Sequence, residues 1–207
     1  MSCGGRWRRK QWGQIIMLIE FVLNGISQRV DTRPGENFLE VLRERCGITS
    51  LKDGCSPQGQ CGCCVALVDG KPKTTCAMPA RVADGKHIVT LDGLPSAERQ
   101  QISDCFTATA GLQCGFCIPG IALRAKALTD RDPAPTREAI TSALDVHLCR
   151  CTGYVKIIDA VQLLAAVKHR GATIPPACSD GRVGQPLARI GGAQTVLGER
   201  AFVGDLT

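Results

Sequence analysis

The 207-residue sequence has few aromatic side chains, 4% of the total with a single tyrosine, so a core built mainly on stacked rings is not expected. No apolar run approaches the roughly 20 residues needed to cross a bilayer. Histidine is scarce: His87, His147 and His169 are the three. No Ser/His/Asp order, phosphate loop, paired-carboxylate arrangement, or flavin or nicotinamide motif stands out. A large excess of one charge is lacking too. The net charge is +6, and Arg6, Arg8, Arg9 and Lys10 supply much of it. The remainder is near neutral, which argues against a nucleic-acid surface.

Cysteine is what the chain has in excess, with 13 residues. Disulfide scaffolds are usually shorter, secreted and even-numbered. Here the count is odd and no convincing signal peptide precedes it. Clustered thiols in a reducing compartment are more often metal ligands. Arg8-Arg9 before an apolar stretch has the outline of a twin-arginine export signal. The stretch from Ile15 to Leu23 contains Glu20, however, and reads better as a strand. A cytoplasmic protein is expected, with residues 1–15 as an upstream extension and Met17 as an alternative start.

Along the chain, residues 15–23 and 26–30 predict a hairpin across Asn24-Gly25, both of which tolerate positive φ. Asn37 is placed to cap a helix through about Arg45, with Phe38, Val41 and Leu42 on one face. A cysteine-rich loop follows from Gly54 to Cys64. Val65 to Val68 predicts a strand turned by Asp69-Gly70, with further strands around Thr74 to Met78 and His87 to Leu91. After Pro95 the pattern becomes helical: Ala97 to Ala110, Ile118 to Leu128, Thr136 to Val146 with Thr136 as cap, and Val155 to Lys168. From Arg170 onward, glycine and proline predict a linker.

Two groups of cysteines carry the chemistry. The first is Cys55, Cys61, Cys63, Cys64 and Cys76, in a loop whose glycines permit close backbone approach and inward-pointing amides. Plant-type [2Fe–2S] ferredoxins use C-x4-C-x2-C and a distant fourth cysteine. Cys55, Cys61, Cys64 and Cys76 give C-x5-C-x2-C-x11-C, one residue longer in the first gap. Cys63 is then surplus, a choice that rests on the C-x-x-C spacing. The second group is Cys114, Cys117, Cys149 and Cys151, at two helix–helix junctions. Helix-start amides near Ile118 and Val155 favour an anionic centre there. Two Cys₄ zinc sites would need the same number of ligands, but C-x-C at 149–151 does not match a zinc knuckle. Cys3, Cys46, Cys105 and Cys178 read as ordinary thiols, and the histidines as non-ligands, since both quartets are complete without them.

The stretches GCSPQGQCGCC with Cys76, QCGFC at 113–117 and CRCTGY at 149–154 resemble the iron–sulfur part of the xanthine dehydrogenase and aldehyde oxidase family of molybdenum hydroxylases. The resemblance covers residues 16 to 170. It implies an α+β fold: a β-grasp, plant-ferredoxin-like domain over 16–94, a four-helix-bundle domain over 95–170, and an extended linker over 171–207. It further implies one [2Fe–2S] cluster per domain, held by Cys55, Cys61, Cys64 and Cys76, and by Cys114, Cys117, Cys149 and Cys151. Gln113 and Cys151 would approach the molybdopterin of a large partner subunit. Electrons would leave singly through the two clusters to FAD in a further subunit, or to another acceptor. The five-residue first gap, and Cys63 where the family usually has alanine, are departures. The tail over 183–206, with Gly184, Pro186, Arg189, Gly198, Ala201, Phe202 and Asp205, resembles the opening of the molybdopterin-binding subunit.

Overall fold

The computed structural model describes residues 7–9, 15–177, 182–185 and 187–206. Cys3, Arg6, Lys10, Cys178 and Pro186 lie outside the described residues. Strand β2 (Ile15–Leu23) alternates as a half-buried strand does: Ile19, Phe21 and Leu23 are buried and Glu20 is exposed. It pairs antiparallel with β3 (Ile26–Thr32) from Leu23↔Ile26 to Met17↔Thr32. Asn24 at φ 52° and Gly25 at φ 82° make the tight hairpin turn that their side chains permit. On the other edge of β2, β1 (Trp7–Arg9) pairs antiparallel near its start, so Arg8 and Arg9 lie in a strand.

The second hairpin joins β4 (Val65–Val68) to β5 (Lys71–Thr74) through Asp69 and Gly70, again both at positive φ. β6 (His87–Val89) lies between the two hairpins, parallel to β2 and antiparallel to β4. The strand expected around Thr74 to Met78 is corrected. Two-residue hairpin register limits β5 to the length of β4, and Cys76 falls in a 3₁₀ turn, Thr75–Ala77. Pro72 is tolerated because β5 is an edge strand. The strand expected to reach Leu91 stops at Val89, and Leu91–Gly93 is a 3₁₀ turn.

A helical segment opens as α1 (Phe38–Glu40) and continues as a π-helical turn, Val41–Arg45. Asn37 and Glu40 cap it reciprocally: Glu40 N–H donates to Asn37 Oδ1 at 3.0 Å, and Asn37 N–H to Glu40 Oε2 at 3.4 Å. Its Phe38 ring meets Phe21 edge-on at 5.2 Å between centroids. Four longer helices follow: α2 (Ser96–Ala108), α3 (Ile118–Arg131), α4 (Arg137–Leu144) and α5 (Tyr154–Arg170). Thr136 caps α4 through Ala139 N–H. α3 runs past Leu128 because nothing breaks it before Asp132-Pro133. Gly171, at φ 67°, ends α5.

Two apolar cores result. One lies between the sheet and the 38–45 segment; the other is formed among α2, α3, α4 and α5. β4 separates them, which explains why all four of its residues are buried. Ala66 and Val68 belong to the sheet-side core and Leu67 to the helical one.

The linker expected after residue 170 is corrected in its last part. Residues 192–206 pack on the body through α6 (Gly192–Val196) and a 3₁₀ turn, Val203–Asp205. Val196 is fully buried in the helical core. Asp205 receives Lys52 Nζ at 2.6 Å and Arg43 Nη1 at 2.9 Å, with only 1% of the Lys52 side chain exposed. Gly and Pro content signalled backbone freedom, but not these partners, which are supplied by distant parts of the chain. Burial pushes the Asp205 carboxyl up, but Lys52, the Phe202 amide and Arg43 outweigh it and hold it below the usual carboxylate range. The stabilisation is therefore full above the unfolded value of about 3.9 and is lost as pH falls through the lower folded value. Asp205→Ala leaves Lys52 buried without its counter-charge, a cost of about 3–5 kcal/mol unless the tail undocks and wets it. Faster tryptic cleavage at Arg200 in the variant is the expected result; cleavage at the wild-type rate would show that the tail is held without this pair.

Candidate functional site

Every described cysteine is a free thiol. The first quartet is drawn from the loop before β4 and the 3₁₀ turn after β5. Cys61, Cys64 and Cys76 are buried, while Cys55 is half-exposed. Within it the thiols form two pairs in contact: Cys55 with Cys61, and Cys64 with Cys76. Backbone donors converge on them. Gln58 N–H reaches Cys55 Sγ at 3.3 Å and Cys76 N–H reaches Cys64 Sγ at 3.5 Å. Amides of Gln60 and Cys61 also face Cys55. Burial raises the Cys55 thiol, but these amides outweigh it and bring it down to about 6. Cys76 is pushed up to about 12 by burial and by its sulfur neighbours.

Within the five-residue first gap Ser56 and Gly59 both take positive φ, 51° and 69°, and Ser56 N–H donates to Asp53 Oδ1 at 2.9 Å. Gly62, at φ 70°, turns the chain between Cys61 and Cys63. A Cβ on Gly62 would lie 2.6 Å from both His147 Nδ1 and the Val146 carbonyl oxygen. Leu148 N–H donates to the Cys61 carbonyl at 3.0 Å, so the approach to Cys149 is hydrogen-bonded to the first loop.

The second quartet sits where α3 and α5 begin. Cys117 immediately precedes α3, and Cys149 and Cys151 precede α5. Again there are two pairs in contact, Cys114 with Cys151 and Cys117 with Cys149. The four sulfurs line one small pocket with Gln113 and Ile157. Cys114 is exposed and Cys117 and Cys149 are buried, with the Cys117 thiol pushed up by burial and by Cys149. Phe116 N–H faces Cys114, and Cys114 N–H faces Cys151. Gln113 Nε2 donates to the Cys151 carbonyl at 3.1 Å.

Some contributors are not marked by any sequence signal for the role they take. The Tyr154 hydroxyl accepts from Cys149 N–H at 2.7 Å and donates to the His147 carbonyl at 3.1 Å, fixing the turn that carries two thiols. His147 is buried between the two loops and accepts from Arg124 Nε at 3.2 Å. Burial, with Arg124 adding to it, pushes His147 down to about 3, so it is a neutral packing group. Phe116, between Cys114 and Cys117, is met edge-on by Phe202 of the tail at 5.1 Å. Cys46 and Cys105 stand apart from both quartets: Cys46 is half-buried beside Arg45, and Cys105 lies inside α2, fully buried.

The donor sets fit [2Fe–2S] centres. Among the described residues no three or more His, Cys, Asp or Glu side chains converge on a single metal ion. What each site presents is two pairs of thiols, the pattern required by two metal ions with two thiolates each. Inward amides and α-helix starts offset the negative charge.

Comparison with known proteins gives the same reading. Residues 90–162 match the family model of a [2Fe–2S] binding domain, a span that includes the whole second quartet. The nicotinate dehydrogenase small FeS subunit of Eubacterium barkeri is 46% identical over 145 residues, 70% of this chain and 92% of that protein. Quinoline 2-oxidoreductase from Pseudomonas putida superimposes with a TM-score of 0.69 and 37% identity, over 76% of this chain and 99% of the matched one. The aldehyde oxidoreductase from Desulfovibrio desulfuricans gives 0.82 at 32% identity over 91% of this chain, which spans only 22% of that longer protein.

Gly62→Ala tests the contact between the loops. Positive φ costs about 1–2 kcal/mol for a residue with a Cβ, before any overlap with His147 is counted. A lower Tm and less iron bound per chain are expected; wild-type values of both would show that the loops part without consequence. The paired quartets, the family match and the near-complete overlap with small FeS subunits lead to one assignment: the chain belongs to the iron–sulfur subunits of the xanthine dehydrogenase and aldehyde oxidase family, the electron-transfer components of molybdenum hydroxylases.

Proposed function

We propose that each quartet holds one [2Fe–2S] cluster and that the chain relays single electrons between a molybdopterin-bearing large subunit and an FAD-bearing subunit or other acceptor. The observation that carries this is the double pairing of thiols at two neighbouring sites. Cys55, Cys61, Cys64 and Cys76 would bind the cluster of a β-grasp, ferredoxin-like half. Cys114, Cys117, Cys149 and Cys151 would bind that of a four-helix-bundle half. Bound there, the clusters supply one-electron redox chemistry.

The chain's own groups set the conditions. Burial of Cys61, Cys64, Cys76, Cys117 and Cys149 limits water, and inward amides stabilise thiolate charge. Gln113 and Cys151, hydrogen-bonded to each other beside exposed Cys114, form the rim that would face molybdopterin. The half-exposed Cys55 loop would face the acceptor. No described helix is long and apolar enough to cross a membrane, and a cytoplasmic setting suits free thiols. Relatives named for nicotinate, quinoline and aldehydes share this unit, which leaves substrate choice to the partner.

The tail supports a closer tie to that partner. The aldehyde oxidoreductase superposition covers 91% of the chain and the quinoline one 76%, a difference of about 31 of 207 residues. We read the tail as the opening of a molybdopterin-binding unit.

Low-temperature electron paramagnetic resonance of the dithionite-reduced protein tests the reading. Two rhombic signals integrating to about two spins per chain are expected, at one per [2Fe–2S] cluster. Cys149→Ala should remove one signal and Cys55→Ala the other. A colourless, silent wild-type sample containing zinc would overturn the proposal.

A further inference from the structure

Cys63 is the one thiol of the first loop that the quartet leaves unused. It is adjacent to Cys64, yet the two face opposite ways. Cys64 lies in the sheet-side core with Cys76, whereas Cys63 lies in the helical core with Cys61, Cys117 and Ile118. Cys63 is buried, with 3% exposure. Its sulfur lies on the same side of the loop as Cys61 Sγ, both flanking the space beside Gly54. It therefore occupies the wall between the first loop and the opening turn of α3, which follows Cys117.

The wall is closely packed. A Cβ on Gly120, in the first turn of α3, would stand 3.2 Å from Cys63 Cα. A Cβ on Gly54 would stand 3.0 Å from Cys61 Sγ, 3.3 Å from Cys63 Sγ and 3.1 Å from the Phe116 ring. The side chain thus has little freedom. It carries one S–H, which in the structure is directed at the Cys61 carbonyl oxygen at 3.7 Å, with the Cys61 sulfur on the same side beside Gly54. When Cys61 binds metal its sulfur is anionic, and a charge-assisted hydrogen bond outweighs a neutral one. Cys63 N–H already faces the same sulfur, so the thiol adds a second donor.

We propose that Cys63 is a positioning residue rather than a ligand, a thiol that donates its S–H to the Cys61 sulfur and raises the reduction potential of the cluster in the first quartet. The inference rests on the assignment of a [2Fe–2S] cluster to that quartet. A donor to a ligand sulfur stabilises the reduced, more negative state of the cluster, so its presence raises the potential. An alanine at this position provides no such donor. Because the thiol lies on the side of Cys117, its effect falls on the cluster nearer the acceptor, at the face where that cluster receives electrons.

The test is a redox titration, followed by paramagnetic resonance, of the full chain as purified, comparing wild type with Cys63→Ala and Cys63→Ser. Both variants should keep two spins per chain, since no ligand is removed. One signal in Cys63→Ala should titrate at a lower potential while the other is unchanged. Cys63→Ser, which retains a donor, should lie nearer wild type. Repeating the titration in a Cys149→Ala background, which lacks the second cluster, should show the same downward shift in the remaining signal. Loss of a signal in both Cys63 variants would overturn the proposal by making Cys63 a ligand. Unchanged potentials with both signals intact would overturn it by making Cys63 a filler of space. A wild-type chain with no cluster signals would instead overturn the underlying cluster assignment.

Discussion

The contact that most constrains this structure is between two glycines. A Cβ on Gly120 would lie 2.4 Å from the Gly62 carbonyl oxygen. No side chain fits there, and the peptide of the first cysteine loop rests directly on the opening turn of α3. That turn begins immediately after Cys117, and the loop carries Cys61, Cys63 and Cys64. The separation of the two thiol quartets is therefore limited at this point by backbone meeting backbone, with Cys63, Phe116 and His147 packed around the contact. Leu148 N–H on the Cys61 carbonyl and His147 against Gly62 tie the last two thiols to the same point.

The tail reinforces this arrangement from outside. Gly198 packs on Ser50 and Pro119, one from each side of the junction, so the tail bridges the sheet-side loop and α3. Thr195 fills the space beside Gly115, where a Cβ would lie 2.0 Å from its methyl group. Phe202 then covers Phe116, with Lys52 Nζ 5.2 Å from the Phe202 ring centroid and Asp205 closing the charge. A lysine so buried is costly unless it is paired, and here the paired carboxylate comes from 153 residues away. The tail thus answers an electrostatic requirement of the body as well as an apolar one.

What the sequence makes legible is local. Asn24-Gly25 and Asp69-Gly70 declare their hairpins because positive φ at both residues is a property of the dipeptide. Asn37 and Thr136 declare helix starts because capping is decided within four residues. The C-x-x-C pairs at 61–64 and 114–117 are legible for the same reason, whereas Cys76, Cys149 and Cys151 join them from farther along the chain. The length of β5, by contrast, depends on register with β4, and the docking of residues 192–206 depends on Lys52, Arg43 and Val196 finding partners across the fold. The roles of Arg124 and His147 depend on α3 meeting the loop before α5, and that of Tyr154 on how its hydroxyl folds back onto its own turn.

The shortage of aromatic residues is met by sulfur. Cys61, Cys63, Cys105, Cys117 and Cys149 belong to the helical core, and Cys64 and Cys76 to the sheet-side core. Free cysteine packs as a small hydrophobe, but thiols grouped in fours are poor neighbours once any of them ionises. Burial and mutual repulsion already raise Cys76, Cys114 and Cys117. A metal centre relieves that conflict, because deprotonation is then compensated by ligation. On the proposed assignment Cys61, Cys64, Cys76, Cys117 and Cys149 would serve both as core side chains and as ligands, while Cys63 and Cys105 serve the core alone. Loading of the proposed sites would then be linked to tight packing of the chain, and both quartets adjoin the close backbone contact of Gly62 with Gly120.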